Sequence, residues 1–239
     1  MPRGQRAEYE AFAARSSALF QRYGALRQVE CWGDELPDGK LTDFRRAVAA
    51  EEGEEVVFSW LEWPDKDTRD NGFAQLEAGG EEMGEMPFDG QRMIFGGFVP
   101  VVELGTSGTA PGYIDGFILA VPTANRDAFT AHATHGNGAF MDAGATRIIE
   151  AWGDDVPAGQ RADFARSVKA TDDETVCFSW VEWPDKATRD AAHARMHEGM
   201  SDPAKMDPRM DPAKNPMPFD GQRMIFGGFT PIFDSGAAA

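Results

Sequence analysis

Apolar and polar positions follow two rhythms along the second half of the chain. Residues 113–121 are an almost unbroken apolar run, which predicts a strand that Pro122 ends. Phe129, Ala133 and Phe140 then recur at helical spacing. They predict a helix capped by Thr123, carrying Asp127 in its first turn and stopped by Gly144. A second strand is expected over 145–152 and a short helix over 162–169. A third strand, rich in aromatic and β-branched residues, is expected over 174–183. Asp185 caps a second long helix reaching about Met200, and 223–229 supplies a fourth strand. The order βαββαβ reads as an α+β, ferredoxin-like unit, an antiparallel sheet with both long helices on one face.

The other face of that sheet has no cover of its own. Alternation assigns it Asp115, Phe117 and Leu119 from the first strand, and Ile148, Glu150 and Trp152 from the second. The third strand adds Val176, Phe178, Trp180 and Glu182. So large an apolar area needs a partner, and the chain supplies one. Residues 86–98, Met-Pro-Phe-Asp-Gly-Gln-Arg-Met-Ile-Phe-Gly-Gly-Phe, recur unchanged at 217–229. Glu30, Trp32 and Gly33 return as Glu150, Trp152 and Gly153, and Phe58-Ser59-Trp60 as Phe178-Ser179-Trp180, each 120 positions on. By Met217 the shift is 131, so the second copy carries eleven extra residues. They fall in the proline-rich stretch 201–216, read as a surface loop.

The first copy lacks a counterpart of 113–120, because Met1-Pro2 aligns with Val121-Pro122. A strand resembling 113–121 is therefore expected upstream in the natural protein. The expected organisation is repeat 1 over 1–104 without its first strand, a Gly/Ser/Thr linker over 105–112, repeat 2 over 113–234, and a disordered tail over 235–239. The two repeats are expected to pack sheet to sheet, a covalent version of a homodimer.

A formal charge of −17 argues against nucleic acid and against an anionic membrane surface as partners. Cys31 and Cys177 occupy non-equivalent strand positions and read as buried free thiols. With no signal-like apolar core at the N-terminus, a cytoplasmic location is expected.

Four segments carry a resemblance: Tyr113-Ile-Asp-Gly-Phe, Glu150-Ala-Trp-Gly-Asp-Asp-Val-Pro157, Phe178-Ser-Trp-Val-Glu-Trp-Pro184, and Asn215-Pro-Met-Pro-Phe-Asp-Gly-Gln-Arg-Met-Ile-Phe-Gly-Gly-Phe229. They resemble the YbaA-like bacterial family of unknown function, in the dimeric α/β-barrel superfamily. The resemblance covers nearly all of copy 2 and most of copy 1, and implies that the repeats pair into an intrachain barrel. The superfamily holds small monooxygenases, haem-dependent enzymes and non-catalytic proteins, so it selects no activity.

Candidate chemistry centres on acidic residues assigned to the inner face: Glu30, Glu62, Asp115, Glu150 and Glu182. Desolvated carboxylates suit general acid–base work. The competing reading, favoured here, pairs them with Arg92 and Arg223 as structural ion pairs. Asp115 and His132 exist only in copy 2, where copy 1 has nothing and Phe12, so at most one site can work. Asp115, His132, Glu150 and Glu182 are the catalytic candidates. Trp152, Trp180, Arg223, Gly227 and Gly228 are the ligand-contact candidates, though the six tryptophans also suit a core. His193 and His197 share a helix face without the glutamate of a zinc motif, so no metal is assigned. Gly96-Gly97 and Gly227-Gly228 lie in strands and imply close approach of the other copy or of a ligand. No nucleotide fingerprint is present, and no cofactor is implied. Two functions follow: a small-molecule binder or weak cofactor-free enzyme (oxidation or proton transfer, by fold analogy), or a non-catalytic interaction module. Further self-association stays open in both.

Overall fold

The computed structural model describes residues 1–79, 84–106, 108, 110–202 and 204–236. Repeat 1 supplies α1 (Arg6–Arg22), β1 (Arg27–Glu35), α2 (Phe44–Ala47), β2 (Val57–Glu62), α3 (Lys66–Gly79) and β3 (Gly97–Gly105). Repeat 2 supplies β4 (Tyr113–Pro122), α4 (Arg126–Asp142), β5 (Arg147–Asp155), α5 (Phe164–Ser167), β6 (Glu174–Trp183), α6 (Lys186–Ser201) and β7 (Ile225–Asp234). Most boundaries match the pattern of the sequence. Gly24 and Gly144 stop α1 and α4 at equivalent positions with φ of 105° and 111°, a left-handed backbone that favours glycine. Asp185 caps α6 by accepting from the Thr188 amide at 2.7 Å. Thr123 does not cap α4. Its hydroxyl bonds to that of Thr175, and a 3-10 turn over Thr123–Asn125 leads into the helix instead.

The strands form one antiparallel sheet in the order β2-β1-β7-β4-β6-β5-β3. The expected face-to-face packing of two separate sheets is therefore corrected. The fourth strands cross over: β7 of repeat 2 pairs with β1 of repeat 1 (Trp32 opposite Thr230), and β3 of repeat 1 pairs with β5 of repeat 2 (Val102 opposite Glu150). Each exchange satisfies backbone groups that a lone repeat would leave at an open edge. The sheet curls, and both repeats contribute to the apolar core on its concave face.

That core is layered and filled. In the middle, Phe58 stacks on Phe178 with ring centroids 4.7 Å apart, and Phe229 lies 5.0 Å from Phe58. Towards one end Trp60 stacks on Trp180 at 4.5 Å. Towards the other, Phe44 of α2 and Phe164 of α5 press edge-on against these rings. The Thr42 hydroxyl donates to the Ser167 carbonyl, tying the loop before α2 to α5.

The third strands point as alternation predicts, with Val176, Phe178 and Trp180 inward. The first and second strands of repeat 2 are turned the other way. Ile114, Ile118, Ala120, Ile149 and Ala151 face the interior. Leu119 and Trp152 pack instead with Phe129 and Ala133 of α4, and Ile148 with Ala192 of α6. The cause is space. The stacked phenylalanines leave no room for a side chain at the centre of β4, where a Cβ on Gly116 would sit 2.8 Å from the Phe58 ring.

Gly112 is tied to the Trp183 carbonyl at the end of the 105–112 linker, of which Ser107 and Thr109 lie outside the described residues. The tail over 235–239 is ordered at its start, where Ser235 donates its amide to the Gln28 carbonyl and accepts from the Gln28 amide. Residues 237–239 lie outside the described residues. Among the described residues no helix is long and apolar enough to cross a membrane.

Candidate functional site at the seam between the repeats

Three groups of buried polar side chains emerge from this framework. The first closes one end of the interior and is built twice over by the duplication. Arg27 binds Glu182 at 3.0 and 3.2 Å and Asp234 at 2.8 Å. Its counterpart Arg147 binds Glu62 at 2.7 and 2.9 Å and Glu103 at 2.9 Å. The Trp60 and Trp180 indoles donate to Glu62 and Glu182. Burial alone would push the Glu62 carboxyl up, but Arg147 outweighs it and holds the group below its ordinary value. This cluster is saturated, as expected of a structural tie.

The second group faces α4. Glu150 accepts from Asn137 at 2.7 Å and from the Ser179 hydroxyl, and burial raises its carboxyl pKa. In repeat 1, Glu30 holds the same place, bonded to Tyr9 and Gln28 at 2.6 Å each, and is raised for the same reason. A raised folded-state pKa means that the ionised form costs stability. That cost is absent below the ordinary carboxyl value of 4.5 and grows as pH climbs through the folded value. Glu150→Gln keeps the acceptor for Asn137 and can donate to Ser179. It should stabilise the protein at pH 8 and do nothing at pH 4, as read by urea denaturation at both. An equal effect at the two pH values would show that its burial is not charge-costly.

The third group lies at the seam. Asp115, only 2 % exposed, accepts from the Trp183 indole at 2.9 Å, from Arg189 Nε at 2.9 Å and from His193 Nε2 at 3.0 Å. Arg189 reaches across to Glu35 of repeat 1 at 2.6 Å and lies 5.3 Å over the Tyr113 ring. Lys186 also binds Glu35, and the Tyr113 hydroxyl donates to Asp34 at 2.8 Å. Above them opens a cleft of about 400 Å³ lined by Glu35, Leu36, Pro37, Arg189, His193 and Phe226. The His193 side chain, 35 % exposed, carries the cluster to that cleft. When Nε2 donates to Asp115, Nδ1 is left as a proton acceptor. The corresponding place across the pseudo-twofold has Arg69 and Asp155, with Phe73 for His193 and no counterpart of Asp115 among the described residues.

The four catalytic candidates therefore do not converge. Glu182 closes the interior, Asp115 lies at the seam, and Glu150 faces α4 rather than the interior. His132 Nδ1 donates to the Asn215 side-chain oxygen at 2.9 Å, and the ring packs against Phe219, pinning the extra loop to α4. Burial lowers its pKa. Among the ligand-contact candidates, Trp152 packs on Phe129, and Trp180 stacks on Trp60 inside the core. Gly227 makes room for Leu36 and Phe44 of the other repeat, whereas Gly228 faces Tyr113. The expected pairing of Arg92 and Arg223 with inner-face carboxylates is corrected. They bind Glu54 and Glu174, which they hold at about 2. Both arginines sit in short 3-10 turns ahead of the fourth strands, out of reach of the interior. Arg27, Arg147 and Arg189 do the pairing, and the sequence signal for them is recurrence: Arg27 and Arg147 repeat at the 120-residue shift, as do Arg69 and Arg189.

The doubled architecture reappears in comparison with known proteins. The family described as "Protein of unknown function (DUF1428)" matches residues 1–90 and again 112–221. The chain belongs to the DUF1428 family. The "Uncharacterized protein YbaA" of Escherichia coli (strain K12) is 51% identical over 106 residues, which is 91% of YbaA but 43% of this chain. YbaA of Shigella flexneri gives the same values. One YbaA thus spans about one repeat of this DUF1428 protein. Among solved structures, an anthrone oxidase-like protein superimposes with a TM-score of 0.51 at 10% identity, over 95% of this chain and 91% of its own. At that identity the likeness is one of fold alone.

Proposed function

We propose that this DUF1428 protein is a pseudo-dimeric α/β barrel of two ferredoxin-like repeats that binds a small molecule in the seam cleft of repeat 2. His193 serves as the group that exchanges a proton with the ligand. The observation that carries this reading is the Asp115–His193 pair. A buried carboxylate, already anchored by Arg189 and Trp183, orients the imidazole that lines the cleft. The cleft walls suggest the ligand. Leu36, Pro37 and the half-exposed Phe226 offer apolar contact, while Arg189 is already neutralised by Asp115 and Glu35. A small, mainly apolar molecule with an acidic hydroxyl, such as a phenol or enol, fits that combination. Proton transfer would move the hydroxyl proton to Nδ1, and Asp115 would balance the imidazolium.

A second reading has an observation of its own. The interior is filled by aromatic rings and its carboxylates are paired, which favours a non-catalytic module. A thermal-shift screen of phenols and enols separates the two. Hits should weaken at least about tenfold, near 1.4 kcal/mol, in both His193→Phe and Phe226→Ala. The first variant is safe for folding because repeat 1 carries Phe73 at that place. No hit, or hits untouched by both substitutions, would leave the module reading standing.

A further inference from the structure

The seam cleft has acceptors to spare and few donors. Its two permanent cations have already turned their N–H groups onto neighbouring carboxylates. Arg189 directs Nε and Nη2 to Asp115, both at 2.9 Å, and Nη1 to Glu35 at 2.6 Å and Asp190 at 3.0 Å. The same guanidinium lies over the Tyr113 ring. Lys186 divides its ammonium between Glu35 and both oxygens of Asp190. The Tyr113 hydroxyl is given to Asp34. Asp34, Glu35, Asp115 and Asp190 therefore outnumber Lys186 and Arg189, and the surroundings of the cleft are negative while His193 is neutral. An anionic ligand would meet that excess and find the arginine and lysine donors engaged.

Glu35 is the carboxylate that a ligand can reach. It ends β1 of repeat 1, lines the cleft, and has a side chain 48 % exposed. Asp115 is enclosed, and Asp190 stands outside the lining. A carboxylate offers about four lone-pair positions. Lys186 binds Oε1 and Arg189 binds Oε2, so each oxygen keeps a position open. The Lys186 bond, helped by Arg189, holds the carboxyl below its ordinary value, so Glu35 is charged at neutral pH. On the far side of Arg189, Asp115 carries His193 on Oδ2. A single guanidinium thus separates the imidazole from the open carboxylate, and Leu36, Pro37 and Phe226 supply apolar wall.

We propose that the cleft selects a phenol or enol that also carries an ammonium group, with Glu35 receiving the ammonium while His193 accepts from the hydroxyl. This narrows the ligand class and rests on His193 being the proton-exchanging group of that cleft. Such a ligand brings a donor at each end, which is what the engaged cations and open acceptors call for. Its apolar body lies against Leu36 and Phe226. Repeat 1 thereby sets the specificity of a proton-transfer group that repeat 2 holds. The formal charge of −17 adds a long-range pull on a cation of this kind.

Three phenols titrated calorimetrically into the full chain test it: tyramine with an ammonium tail, para-propylphenol with a neutral tail of the same length, and para-hydroxyphenylacetate with an anionic tail. At neutral pH and low salt, tyramine should bind at least about threefold tighter than para-propylphenol, a ratio suited to a half-exposed ion pair, and para-hydroxyphenylacetate weakest. Added salt should shrink the ratio. In Glu35→Gln the ratio should fall close to one. Tyramine binding no tighter than para-propylphenol in the unaltered chain would overturn the inference and leave the cleft a phenol site. So would a preference that persists in Glu35→Gln, or tightest binding by para-hydroxyphenylacetate. Failure of all three to bind would overturn the inference together with the reading of the cleft on which it rests.

Discussion

Glu182→Leu is expected to cost about 3–5 kcal/mol of unfolding free energy, among the largest losses available to a single substitution here. Glu182 is 1 % exposed and lies between Arg27 and Arg147, each nearly as buried. Removing it leaves Arg27 with Asp234 and a longer contact to Glu62, and Arg147 with Glu62 and Glu103. The face that each guanidinium turned toward Glu182 then meets apolar side chains, with no water to replace the carboxylate. Burying a charge without its partner costs more than the pair contributed. Glu103, half exposed on the same cluster, provides the control: Glu103→Ala should cost less than 1 kcal/mol. Urea denaturation of the two variants measures the difference. Equal, small losses would mean that the cluster is solvated.

Phe178→Ala should cost about 3–5 kcal/mol by creating a cavity in the middle of the core. Phe178 stacks on Phe58 and touches the rings of Phe98, Phe164 and Trp180, so four neighbours lose contacts that none can replace by moving alone. The space left would be apolar and enclosed, and benzene should refill it and restore part of the midpoint. A loss below about 1 kcal/mol would show that the interior is loosely packed, and would reopen it as a place for ligand.

What could be read beforehand follows from how many faces of each strand are buried. β6 alternates large and small residues, Val176, Phe178 and Trp180 against Thr175, Cys177 and Ser179, so its inward face was legible. In β4 both faces are apolar. The bulkier set, Phe117 and Leu119, goes to the helices because the interior is already crowded by Phe58 and Phe178. A strand buried on both sides carries no phase in its pattern, and a one-residue slip inverts every assignment. That inversion moved Asp115 and Glu150 out of the interior, and with them the expected site. The crossing of β3 and β7 into the opposite repeat was equally illegible, because long-range pairing leaves no local mark. His193 was visible only as half of a metal-spaced pair with His197, while its bond to Asp115 depends on how α6 lies against β4.

Nuclear Overhauser effects across the exchanged strands test the central claim most directly. The account predicts cross-strand backbone contacts between Trp32 and Thr230 and between Val102 and Glu150 in the intact chain. Contacts confined within each repeat, with β1 and β5 lacking these partners, would contradict it.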